Sequence, residues 1–100
     1  MGPEMKVHDW LKKKIKEKYP YAYIYKPRAG TYGKRGVPDF LCCIQGIFVA
    51  IEVKADETKK PTKSQVIELK KVKQAHGLAF LLYGKNERSL RYIFNIIDHA

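Results

Sequence analysis

One hundred residues suffice for a single domain with one core, expected to span 1–100, and leave no room for a second module. Twenty Lys and Arg against ten Asp and Glu give a formal net charge of +10, which suits a polyanionic partner. No run approaches the ~18 apolar residues of a membrane span and the N-terminus carries no apolar signal segment, so a soluble cytoplasmic protein with no membrane partner is expected.

The first helix is expected over about residues 4–18, where Val7, Leu11 and Ile15 recur four apart with Trp10 beside them. Glu4 suits its first turn, and the lysines crowding its end suit the helix dipole. Pro20 stops it. Tyr21 to Lys26 alternate as a first strand with Tyr21, Tyr23 and Tyr25 on one face, an aromatic stripe that suits a dimer interface better than base stacking. Residues 27–37 are rich in glycine and base. Arg28, Gly30, Tyr32, Lys34 and Arg35 stand there as candidate phosphate contacts, since glycine lets a backbone approach a phosphate closely.

A second strand then leads to Gln45-Gly46, which reads as a two-residue turn into a third strand whose Ile47, Val49, Ile51 and Val53 form one apolar face. Cys42 and Cys43 are adjacent, match no zinc or redox spacing, and are expected as packing thiols in a reducing compartment. After a polar link over 55–61, Thr62 and Gln65 fit a capping box that opens a helix ending at Gly77. Leu78 to Tyr83 read as a buried strand, joined to the third by a right-handed crossover. Leu90, Ile93, Phe94 and Ile97 follow helical spacing after a Ser89 cap. The expected fold is α/β, in the order α-β-β-β-α-β-α, a small mixed sheet with flanking helices.

If Ile44 faces Ile47 across the turn, five further steps along each strand put Asp39 opposite Glu52. Facing side chains in an antiparallel pair have Cβ atoms about 4.5–5.5 Å apart, close enough for two carboxylates to share a divalent ion. Lys54, two residues past Glu52, points to the same face. Two anions side by side repel and tend to trap a proton unless a cation compensates them. Oxygen ligands on a rigid sheet suit a hard ion such as Mg²⁺, completed by substrate phosphate.

Pro38-Asp39, twelve intervening residues and Glu52-x-Lys54 resemble the core of the PD-(D/E)xK nuclease superfamily. With Gly36-Val37 before the acid, Phe40 after it and Ser64-Gln65 opening a helix, the chain is more narrowly similar to the VRR-Nuc family of small virus-type nucleases. That resemblance implies a restriction-endonuclease-like core and a metal-dependent DNA endonuclease, in host cytoplasm if phage-encoded. It also implies that Asp39, Glu52 and the Val53 backbone carbonyl hold Mg²⁺ or Mn²⁺, that Lys54 serves the attacking water or the phosphate, and that Gln65 lies at the site's edge. Glu4 is the candidate acid from the first helix, with Asp9 and Glu17 as competitors.

Related stand-alone domains include archaeal Holliday-junction resolvases, which implies a homodimer cleaving branched DNA at four-way junctions. Flap or single-stranded DNA is the other substrate, and a non-catalytic basic nucleic-acid-binding module the other class. Contacts from the glycine loop and from lysines of the second helix, Lys63 among them, would go to phosphates. His8, His76 and His99 are scattered without paired spacing, which argues against a histidine-metal or zinc-finger nuclease, and no phosphate-loop string supports an ATP-driven role.

Overall fold

Gln45 and Gly46 both take positive φ, 54° and 81°, as a two-residue hairpin turn requires if its twist is to match the strands it joins. The computed structural model, which describes residues 2–28 and 34–100, thereby carries the expected register. Ile44 faces Ile47, and the pairing continues without slip to Phe40 opposite Ile51. The chain runs α1 (Pro3–Lys18), β1 (Tyr23–Tyr25), β2 (Phe40–Ile44), β3 (Ile47–Lys54), α2 (Lys63–Gln74), β4 (Leu78–Tyr83) and α3 (Glu87–Asp98). The four strands form one sheet in the order β1-β2-β3-β4. β1, β2 and β3 pair antiparallel, and β4 joins β3 in parallel across the α2 crossover.

The period of two sorts the sheet into two faces with different covers. On one face Phe40, Cys42, Ile44, Val49, Ile51, Val53 and Leu82 pack with Val7, Leu11 and Ile15 of α1 and with Leu90, Ile93 and Ile97 of α3. Each fully buried Leu or Ile of this cluster contributes roughly 1.5–3 kcal/mol relative to exposure. On the other face Ala50 and Ala79 lie beneath Leu69 of α2, with Leu41, Val72 and Leu81 around them. α2 covers only part of that face, and Phe48, Tyr23 and Tyr25 stay exposed on it.

The ends of three elements differ from the sequence expectation. β1 is shorter than 21–26 because Pro20 and Tyr21 are used in the turn that leaves α1, where Lys16 Nζ donates to the carbonyls of Pro20 and Ala22 at 2.9 and 3.0 Å. α2 ends at Gln74, and the left-handed residue that closes it is His76, one position before the expected glycine. His76 takes the left-handed φ of 69°, its N–H reaches Lys73 O at 3.0 Å, and the Gly77 N–H reaches Val72 O at 3.0 Å, a complete Schellman closure. Gly77 is small for a packing reason, since a Cβ there would lie 2.9 Å from Val72 Cγ1. α3 is capped by Asn86 rather than Ser89: Asn86 Oδ1 accepts from the Ser89 N–H at 2.9 Å, which makes Ser89 the third helical residue. No helix of the described residues is long and apolar enough to cross a membrane.

Candidate active site

Pro38 has no N–H to give, so the β2–β3 ladder ends where it enters the sheet. The N–H of Val53 on the facing strand is taken by the Asp39 side chain, Oδ2, at 2.9 Å. One register step beyond Phe40 and Ile51, Asp39 therefore lies over the end of β3 with its carboxylate anchored to backbone. Glu52 comes from the α2 face of β3 and is 1% exposed. Its Oε2 lies 3.3 Å from Lys54 Nζ, while Oε1 is buried with no hydrogen-bond partner among the described residues. Burial, then the neighbouring Asp39 charge, pushes the Glu52 carboxyl up to about 7, with Lys54 opposing the shift. A buried carboxylate oxygen left unsatisfied beside a second carboxylate is a place for a cation, and oxygen donors of this kind fit a hard divalent ion.

Gln65 serves the helix end and the site with the same atom. Oε1 accepts from Lys54 Nζ at 2.9 Å and from the Thr62 N–H at 2.8 Å, while Thr62 Oγ1 accepts from the Gln65 N–H at 3.2 Å. The capping box thus aims the lysine that neutralises Glu52. Gly36 seats this helix end. At φ 77°, a Cβ on Gly36 would run into the backbone of Ser64 and come within 2.8 Å of Gln65 N. Gly36→Ala is expected to lower the melting temperature by on the order of 10 °C, from a left-handed φ and a backbone clash together worth about 2–4 kcal/mol. Thermal unfolding checks this, and a change under 2 °C contradicts it.

Helix α1 brings Glu4 to the same place. Glu4 Oε2 lies 3.8 Å from His8 Nε2, and the same nitrogen lies 3.6 Å from Asp39 Oδ2. Asp9 and Glu17, the other acids weighed on this helix, are exposed and outside this group. Histidine-to-histidine spacing alone does not single out His8. The legible signal was its place four residues after Glu4 and next to Val7, on the inward stripe of an amphipathic helix.

Two grooves border this group, one reaching Asp39 and the other Glu4, while the buried Glu52 lines neither. One, of about 1070 Å³, is bounded by Asp39, His8 and Gln65 and carries Lys26, Arg28, Lys34 and Arg35. The other, of about 670 Å³, places Glu4 and Lys54 beside Lys59 and Lys60. Of the candidate phosphate contacts, Arg28, Lys34 and Arg35 therefore border the site, with Lys34 also 3.3 Å from Glu68. Lys63 is exposed in the first turn of α2 without lining either groove, whereas Lys59 and Lys60, read from sequence as a polar link, do line one. Gly30 and Tyr32 lie outside the described residues.

A carboxylate pair and a lysine at the end of a mixed sheet, with basic grooves on either side, form an arrangement whose chemistry suits a divalent cation and a polyanion. A solved structure described as a VRR_NUC domain is similar to this chain over 99% of its length and 98% of that chain, at 23% identity and a TM-score of 0.74. The chain has the fold of that domain, as the spacing of its acidic motif implied. No protein-family profile and no curated protein sequence matches it.

Proposed function

We propose that this chain is a metal-dependent DNA endonuclease of the VRR-Nuc family, hydrolysing phosphodiester bonds. The observation that carries the proposal is the unsatisfied buried oxygen of Glu52, set beside Asp39 and Lys54, each of which lines a basic groove. Asp39, Glu52 and the Val53 carbonyl would hold Mg²⁺ or Mn²⁺, with Glu4 as the acid from α1. A bound ion of this type polarises phosphate oxygens and lowers the pKa of a bound water. Lys54, oriented by Gln65, presents its ammonium to the attacking water or the phosphate oxygens. The grooves hold the strand by its backbone, which positions the scissile phosphate without reading sequence.

In its finer form the proposal is structure-selective cleavage of branched DNA, four-way junctions above all, by a homodimer. Two sites related by a two-fold axis suit a two-fold substrate. The exposed Tyr21, Tyr23 and Tyr25, on and beside the edge strand β1, offer the face for such a pairing.

A labelled four-way junction, incubated with and without Mg²⁺, tests the activity. Cleavage that needs the ion and disappears in Asp39→Asn is expected. Cleavage persisting in that variant would come from a contaminant, and metal-independent binding without product would leave a non-catalytic module. Affinity should also fall steeply with salt. If the four basic side chains of the larger groove each neutralise one phosphate, log K should fall against log salt with a slope of about −3.6 on duplex. Fluorescence anisotropy between 50 and 200 mM salt reads it, and a flat response contradicts groove binding.

A further inference from the structure

His8 is 7% exposed, yet neither ring nitrogen has a hydrogen-bond partner among the described residues. A buried imidazole without partners costs roughly 1–3 kcal/mol, and packing alone does not repay it where an apolar side chain of similar size would serve. Its surroundings are specific. Phe40 stacks at a ring separation of 5.2 Å and a 50° tilt, and Nε2 faces two carboxylates from different elements, 3.6 and 3.8 Å away. Those separations are too long for hydrogen bonds. They match donors around a shared ion, because two ligands each about 2.1 Å from one cation stand roughly 3–4 Å apart. One donor atom each from Glu4, His8 and Asp39 lies within 4.8 Å of the others.

We propose that His8 ligates the divalent cation held at Asp39, adding a ring nitrogen to the oxygen donors so that Glu4, His8 and Asp39 share one ion. This rests on the proposed function only in taking Asp39 as a cation ligand. Helix α1 becomes part of the metal centre: the i, i+4 spacing puts Glu4 and His8 on one stripe, and Val7, Leu11 and Ile15, buried against the sheet, hold that stripe at the mouth of the larger groove. The chemical consequence is selectivity. Imidazole favours first-row transition ions, whereas Mg²⁺ prefers oxygen donors and keeps its waters. The site therefore discriminates for Mn²⁺ over Mg²⁺ more strongly than two carboxylates and a carbonyl would.

Pulsed EPR of Mn²⁺ bound to the full chain without DNA tests this directly. A nitrogen hyperfine coupling is expected, changing to the ¹⁵N pattern when only histidine is ¹⁵N-labelled, and persisting in a His76→Asn/His99→Gln double variant. Because that readout leaves His8 in place, it does not depend on a His8 variant folding. In His8→Ala the coupling should vanish and Mn²⁺ affinity by calorimetry should fall at least tenfold, with Mg²⁺ affinity changed less than threefold. Mn²⁺ bound without any histidine nitrogen coupling would overturn the inference while leaving the nuclease assignment intact. Absence of Mn²⁺ binding overturns the inference too, and with it the nuclease assignment if no divalent ion supports junction cleavage.

Discussion

Replacing Lys54 by alanine is expected to slow phosphodiester cleavage by about two to three orders of magnitude while DNA affinity changes less than threefold. Two effects of different origin converge on that number. The ammonium is held 2.9 Å from Gln65 Oε1 and 3.3 Å from Glu52 Oε2, so it is fixed in place before any phosphate arrives. A preorganised charge in a site with little water stabilises a transition state more than a flexible one does, since no reorganisation is needed at the moment of reaction. Lys54 also opposes the upward shift of the Glu52 carboxyl. Without it, Glu52 would carry a proton over more of the neutral range and ligate a cation less well.

The two effects separate by pH. Loss of the ammonium's own contribution lowers the rate at every pH, whereas the lost support for Glu52 moves the rising limb of the pH–rate profile upward. Single-turnover cleavage of a labelled junction between pH 6 and 9, with anisotropy for binding, reads both. Gln65→Glu provides a useful contrast, because it keeps an acceptor for the Thr62 N–H while changing the charge against Lys54. A Lys54→Ala rate within threefold of wild type would remove Lys54 from the mechanism.

Much of this site was legible because one short segment specifies it. A two-residue turn at Gln45-Gly46 with alternating residues on either side admits one register, since a slip by one would turn Ile51 and Val53 outward and Glu52 into the main core. That register also positions Lys54, and the capping pattern of Thr62 and Gln65 positioned the head of α2. Other features depend on how separate elements pack. His8 and Asp39 are thirty-one residues apart, and their approach follows from the angle at which α1 crosses the sheet. The contact of Gly36 with the Ser64 backbone is likewise tertiary, so from sequence Gly36 shows as the glycine before the acidic motif but not as the seat of the α2 end. Caps were ambiguous for a local reason: Asn86 and Ser89 both suit an N-cap and stand three apart, where one can cap the other's N–H. The short link bearing Lys59 and Lys60 has no pattern of its own, and only its return past Glu4 brings those lysines to a groove.

Glu52→Gln should make the metal-free protein more stable at pH 8 while abolishing cleavage. In the folded chain the Glu52 carboxyl titrates near 7, against an ordinary value of 4.5 in the unfolded chain. Below about 4.5 both states are protonated and the residue adds no pH dependence. Between 4.5 and 7 the unfolded chain gives up its proton while the folded chain keeps it, so stability falls as pH rises across that window. The loss is on the order of 3 kcal/mol and is complete above about pH 7. Asp56, Glu68 and Asp98 work in the opposite sense, their carboxyls held below the usual range by hydrogen bonds from Thr58, Lys71 and Tyr19 respectively, so their contributions are present at neutral pH and fade in acid. Since both proteins share those three groups, the difference between wild type and Glu52→Gln isolates the single carboxyl. In EDTA the two melting temperatures should converge near pH 4.5, and the variant should lead by on the order of 10 °C at pH 8. Added Mn²⁺ should narrow the gap by stabilising the wild type more than the variant, which keeps Glu4, His8 and Asp39 but lacks the Glu52 carboxylate, because an ion that binds the folded chain raises its stability by mass action. A difference that does not change with pH would mean that the Glu52 carboxylate is satisfied without a cation, and the proposed metal site would lose its foundation.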